Sequence, residues 1–320
     1  MQCFILAGGF ATRLWPLTEK RAKPLLPLAG KPILAHLVEK IPKNIPITLS
    51  TNAVFENDFK AFARSIKERK IHILIEDTES DAKKLGALGA VARWIEQESI
   101  DEDILLLAGD NYCEASLDAF LESYRGNPIV AGYDIGSKEA AKSFGTILLK
   151  NKEGAVQSVQ TFEEKPKEPK STLVSTGWWI LPKATLPLLQ TYAKDHPDNV
   201  GGIFEEYLRH NIPVDCWSFL GNWKDIGSFQ SYMEIHRTVV QSPIVHPKST
   251  LDTSTKLLGA IDIGPKTSIK DSTLEDCIIF GDSIIEHCVL RGCIIDTGTV
   301  LRNIDLDDKM LRAGTRLVQE

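Results

Sequence analysis

A ladder of aliphatic residues late in this 320-residue chain constrains its fold more than any other feature. Leu251, Leu257, Ile263 and Ile269 stand six apart, and Leu274, Ile279, Ile285, Leu290, Ile295, Leu301, Leu306, Leu311 and Leu317 continue in steps of five, five and six. Small residues precede most of them by two positions, at Thr255, Thr267, Ser272, Cys277, Ser283, Cys288, Cys293, Thr299 and Thr315. A three-sided β-helix leaves this trace, because each face of a coil turns one aliphatic inward beside one small corner residue. The spacing predicts about four coils, the first of about eighteen residues and the others of about sixteen. Cys277 and Cys293 then lie one coil apart on one face, with Cys288 on the next, where small thiols suit a packed interior column.

Ahead of that ladder the order is different. Short apolar runs at residues 47–50, 71–75 and 104–107 alternate with amphipathic stretches at 55–69 and 117–124, which is α/β order. Parallel strands covered on both faces read as continuous apolar runs, and ligands collect beyond their carboxyl ends. Gly8, Asp77 and Asp110 each follow such a run, so one sheet edge is expected to carry all three. A last helix is predicted over residues 230–240, and Gln241-Ser242-Pro243 breaks it. The expected domains are 1–240, a Rossmann-like unit with a mostly parallel mixed sheet, and 241–320, the β-helix.

The first strand leads into a run built for phosphate. Leu6 and Ala7 end the strand, and Gly8-Gly9 lets backbone pass close to a ligand. Thr12 and Arg13 follow where a short helix begins, so amide N–H groups, a hydroxyl and a guanidinium are available to phosphate oxygens. Pro16, Pro24, Pro27 and Pro32 stiffen the segment carrying Lys23. With a net charge of −6, a polyanion must be met by local cations, here Arg13, Lys20, Arg21, Lys23 and Lys31, and a nucleic-acid footprint is not expected. The chain has neither G-x-x-x-x-G-K-[ST] nor G-x-G-x-x-G, which excludes the P-loop and dinucleotide fingerprints. The first residues lack the features of a secretory signal, no apolar run reaches spanning length, and the six cysteines include no C-x-x-C pair. A cytoplasmic protein without membrane, zinc or disulfide chemistry is expected.

Gly8-Gly9-Phe10-Ala11-Thr12-Arg13-Leu14-Trp15-Pro16-Leu17-Thr18, followed by Lys23-Pro24, resembles the signature GGxGTRLxPLT and KP pair of the sugar-1-phosphate nucleotidyltransferase family. Ala11 departs from it, standing where the family has a third glycine; an alanine there is expected to adopt helical φ/ψ at the start of a helix. The resemblance continues at Gly109-Asp110-Asn111, Phe144-Gly145-Thr146, Glu163-Glu164-Lys165-Pro166, Ser175-Thr176-Gly177 and Trp223-Lys224-Asp225-Ile226-Gly227. It implies a left-handed β-helix, and an enzyme that joins a nucleoside triphosphate to a hexose 1-phosphate with release of pyrophosphate.

The roles implied are these. Arg13 holds the pyrophosphate, Lys23 the α-phosphate and Lys165 the sugar phosphate; Asp110 and Asp225 bind Mg2+, which needs only one or two carboxylates beside phosphate and water. Leu6, Ala7, Gly8, Gly9, Asp81 and Gly86 line the nucleotide, and Asn111, Gly145, Glu164, Lys165 and Ser175 line the sugar. The Asp81 carboxylate only accepts, which suits a pyrimidine N3–H or the guanine N1–H and N2–H2. Glucose 1-phosphate with dTTP or UTP is the pair best matched, with mannose-1-phosphate guanylyl transfer next and a non-catalytic regulatory subunit as the reading from another class. The β-helix is expected to mediate homo-oligomerisation.

Overall fold

A computed structural model describes residues 1–9, 11–76, 85–150 and 154–320. By contact the chain divides into two compact units, residues 1–9 with 37–223 and residues 10–36 with 224–320. Asp77 and Asp81 lie outside the described residues.

The first unit is built on a nine-stranded mixed sheet. Its strands are β1 (Gln2–Leu6), β2 (Ile47–Asn52), β3 (Ile71–Glu76), β4 (Ile104–Ala108), β5 (Ile129–Asp134), β6 (Gly145–Leu149), β7 (Val156–Glu164), β8 (Leu173–Leu181) and β9 (Asp215–Ser218). The order across the sheet is β3-β2-β1-β4-β8-β5-β9-β7-β6. The first four run parallel, with Leu6 beside Ser50 on one flank and Ala108 on the other. β8 then pairs antiparallel with both β4 and β5. Helices α1 (Glu56–Ser65), α2 (Ala87–Gln97), α3 (Leu117–Ser123), α4 (Leu186–Asp195) and α5 (Gly202–Arg209) accompany the strands. In α2 the apolar stripe Leu88, Val91, Trp94 and Ile95 follows helical spacing and joins the main core, where Trp94 stacks on Phe4 with centroids 4.6 Å apart.

The second unit combines residues 10–36, helix α6 (Phe229–Val239) and the parallel β-helix. Ser228 and Ser231 close a reciprocal cap on α6. In the β-helix, Leu251 pairs with Ile269, eighteen residues on, and Ile285, Leu301 and Leu317 then follow at intervals of sixteen. The first coil is longer partly because Leu258 to Ile261 opposes the shorter Glu275 to Cys277, a bulge at Gly259.

The corners differ from the sequence expectation. Left-handed backbone falls one residue before most of the small side chains, at Lys266, Asp271, Asp276, Asp282 and His287 and at Gly292, Gly298 and Gly314. Several of these small residues turn a hydroxyl or thiol onto a carbonyl of the turn: Ser272 Oγ donates to Lys270 O at 2.7 Å, Ser283 Oγ to Gly281 O at 2.9 Å and Cys277 Sγ to Glu275 O at 3.2 Å. That need for a small donor explains why Ser, Thr and Cys alternate there. All six cysteines are free and buried. Among the described residues, no helix is long and apolar enough to cross a membrane.

Candidate functional site

In the first unit the carboxyl ends of β1 and β4 lie side by side, tied by Gly109 N donating to Leu6 O at 2.9 Å. That bond brings the Gly8 turn and the Asp110 turn to one edge, as two adjacent apolar runs ending in glycine-rich turns require. Asp110 Oδ1 accepts from Asn111 Nδ2 at 2.8 Å. Residues that sequence reasoning missed shape the floor beneath Gly8. Asn52 Nδ2 donates to Gly8 O at 3.0 Å, and Ser50 Oγ donates to the buried Glu76 carboxylate. A Cβ at Gly8 would stand 2.9 Å from Glu76 Oε1, so glycine is needed for this approach. Burial pushes the Glu76 carboxyl above its ordinary range, against the lowering effect of the Ser50 bond.

Gly86 is explained by packing. With φ at +76°, its missing side chain leaves room for the backbone of Pro197, whose carbonyl carbon and oxygen would each be 2.4 Å from a Cβ. Pro197 O accepts from Leu88 N and Gly89 N at 2.9 and 3.1 Å, occupying amides at the start of α2.

A second group gathers at the end of β7. Glu164 pairs in register with Gly145, and its backbone N–H donates to Glu205 Oε1 at 3.0 Å. Lys165 adopts φ of +47°, with its Nζ 3.6 Å from Glu164 Oε1 and most of its side chain in solvent. Burial raises the Glu164 carboxyl, opposed first by the charge of Lys165. Gly201 and Gly145 both keep space for this carboxylate: Cβ atoms there would be 1.9 and 2.8 Å from Glu164 Oε2. An open depression of about 450 Å3 is lined by Glu164, Lys165, His196, Pro197, Asp198 and Asn199. The last four were not singled out from the sequence; the pair Gly201-Gly202 just after them, opening a helix, was the available signal. Ser175 Oγ accepts from Trp179 Nε1 at 2.9 Å, and the rings of Trp178 and Trp179 belong to the interior.

The second unit holds the other candidates. Thr12–Leu14 forms a 3-10 turn, with Arg13 exposed on it. Ala11, expected in helical φ/ψ, instead has φ 47° and ψ 45°. The left-handed region is held because Ala11 O accepts from both Leu14 N at 3.1 Å and Thr18 Oγ1 at 3.0 Å. Thr18 is thus the residue that closes the turn. Lys23 is buried, and its Nζ donates to Asp225 Oδ1 at 2.7 Å.

The Asp225 carboxylate is an oxygen donor of the kind a hard divalent cation takes. Asp225 already carries a cationic partner, keeps about a quarter of its side chain exposed, and has Gly227 beside Oδ2, where a Cβ would be 3.2 Å away. Among the described residues no cluster of three or more His, Cys, Asp or Glu forms a cage. A lone aspartate of this kind fits magnesium, which takes most of its ligands from phosphate and water, better than it fits zinc, whose sites draw mainly on nitrogen and sulfur donors.

A family model described as nucleotidyl transferase matches residues 2–242. A glucose-1-phosphate thymidylyltransferase of Streptomyces antibioticus is 24% identical over 300 residues, covering 88% of this chain and 78% of that protein. A protein of Sulfolobus acidocaldarius bearing the name mannose-1-phosphate guanyltransferase is 24% identical over 275 residues, covering 85% of this chain and 72% of that one. Against the bifunctional GlmU of Methanocaldococcus jannaschii, the chain spans 60% of the relative's length. A solved UDP-glucose pyrophosphorylase shares the fold, with a TM-score of 0.60 at 20% identity over 73% of this chain and 96% of that chain.

Proposed function

Since the chain belongs to the nucleotidyl transferase family over residues 2–242, we propose that it transfers a nucleoside monophosphate to a hexose 1-phosphate, with glucose 1-phosphate and dTTP or UTP as the leading pair. The observation that carries this reading is the Leu6 to Gly109 hydrogen bond, which sets a glycine turn and a strand-end aspartate on one edge. A phosphate oxygen of the sugar 1-phosphate attacks the α-phosphorus; the bond from that phosphorus to the bridging oxygen breaks, and pyrophosphate leaves with the electron pair. The nucleophile is already an anion near neutral pH, so no base is needed. Positioning and charge neutralisation carry the catalysis.

In this reading Arg13 holds the pyrophosphate, Lys23 the α-phosphate, and Lys165 the sugar phosphate. The Glu164 carboxylate accepts from sugar hydroxyls, with Asn111, Gly145 and Ser175 as further sugar contacts. Leu6, Ala7, Gly8, Gly9, Asp81 and Gly86 serve the nucleotide. Asp110 and Asp225 are the proposed ligands of magnesium, which when bound offsets phosphate charge. Residues 1–240 act as the catalytic domain, and the β-helix of 241–320 as the surface for self-association.

Pyrophosphate release measured across a panel of triphosphates and hexose 1-phosphates, with and without a magnesium chelator, tests the reading. Release with one preferred pair, lost on chelation, is expected. Preference for GTP with mannose 1-phosphate would move the assignment to the guanylyl branch, and no release with any pair would replace it with a regulatory role.

A further inference from the structure

Arg21 lies two residues before Lys23, and by sequence it counts among the cations available to phosphate. Its guanidinium is committed elsewhere. Nη1 donates to Asp296 Oδ1 at 3.2 Å, Nη2 to Thr297 Oγ1 at 3.3 Å, and Cζ stands 4.9 Å from the centre of the Phe280 ring. The Asp296 side chain is 8% exposed, and Oδ1 also accepts from Thr297 N at 2.7 Å, so the carboxylate is oriented from its own side.

Nearby contacts repeat the pattern. Asp262, also buried, accepts the Gly30 N–H at 2.7 Å. Tyr232 of α6 donates its hydroxyl to Pro27 O, and both carboxylate oxygens of Glu19 accept from Arg312 Nη2 at 2.7 Å. The segment that carries Lys23 is therefore fixed before and after that residue.

The repeat has no packing need for a carboxylate at position 262. The register mates of Asp262 in later coils are Ile278, Ile294 and Met310, so an aliphatic is what the repeat places there. A buried carboxylate is costly unless donors meet it; residues 10–36 supply the Gly30 amide to Asp262 and the cationic donor Arg21 to Asp296, beside the latter's local bond from Thr297 N. We propose that this β-helix face positions the Lys23 segment for catalysis, with Arg21 and Asp296 as positioning residues. The proposal rests on the reading of Lys23 as an α-phosphate ligand.

The test compares Arg21→Met, Asp296→Ala and their double variant in the full-length chain. Each single variant is expected to lower kcat about ten- to hundredfold while KM for the sugar phosphate stays near wild type, since a misplaced group far from the chemistry costs rate. The double variant should be no slower than the worse single one. Arg21→Lys, which keeps a cation within reach, should recover much of the rate. Hydrogen exchange at the amides of residues 14–26 should quicken in the impaired variants. Asp307→Asn, which alters an exposed pair with Arg291, should leave both readouts unchanged. Wild-type kcat and exchange in Arg21→Met, a variant that keeps the side-chain stem over Phe280, would overturn the proposal; so would additive losses in the double variant. Absence of pyrophosphate release by the wild-type chain would instead defeat the proposed function, and the exchange measurement would still report whether the segment is held.

Discussion

Replacing Gly201 by alanine separates side-chain clash from backbone strain unusually well. Gly201 has φ −73° and ψ −26°, which alanine adopts freely, so the backbone favours the variant by about 0.4–1 kcal/mol. The added Cβ would stand 1.9 Å from Glu164 Oε2 and 2.6 Å from Phe162 Cε1. Phe162 cannot give way, because its ring is buried and lies 5.2 Å from Phe204 within the core. The Glu164 carboxylate must therefore rotate out of its place. If that carboxylate accepts a sugar hydroxyl, the lost charged hydrogen bond costs about 1.5–3 kcal/mol. At about 1.4 kcal/mol per decade, kcat/KM for the sugar phosphate falls about 10- to 100-fold. Pyrophosphate release with the sugar phosphate varied at saturating triphosphate measures it, and KM for the triphosphate should change by less than about twofold. Gly201→Ala added to Glu164→Ala should lose nothing further. A folded Gly201→Ala with wild-type kcat/KM for the sugar phosphate would refute the reasoning.

Lys23→Ala should slow turnover by about two to three decades, as expected for loss of one transition-state donor, and single-turnover measurement would detect a smaller effect that removes Lys23 from the mechanism. For Glu76 the sign follows from burial: its folded pKa lies above the ordinary 4.5, so the folded state holds the proton more tightly and stability falls as pH rises through that window. Glu76→Gln should therefore raise Tm at pH 8 and change it little at pH 4; equal shifts at both would count against a buried, titrating Glu76. Ala11→Gly removes a left-handed strain of about 1 kcal/mol and should raise Tm slightly with kcat maintained, whereas a lower Tm would contradict that conformation.

The β-helix was legible because every coil repeats the same local requirement: an aliphatic for the interior and a small donor for the turn. Even so, the one-residue offset between small residue and left-handed corner could not be read from spacing, since a hydroxyl at a corner and one just inside it leave the same period. The Gly8 and Asp110 turns were legible for a similar reason, as each directly follows a buried strand. Gly86 shows the opposite case. Its φ is +76°, and the Pro197 backbone that fills the place of a side chain belongs to a residue more than a hundred positions away, which the neighbours of Gly86 in the chain do not announce.

What the sequence determined by itself was periodic or adjacent in the chain: the stacked coils, the α/β order, and the glycine turns that directly follow buried strands. Tertiary structure alone decided that Lys23 meets Asp225, 202 positions on, that Arg21 turns to Asp296, 275 positions on, and that Gly201 yields its space to Glu164. The physical reason is that such charges and glycines are locally indifferent. A lysine, an arginine and a glycine satisfy their own backbone in many conformations, and only the neighbour that folding brings within a few ångströms determines which charge is paired and which Cβ is forbidden.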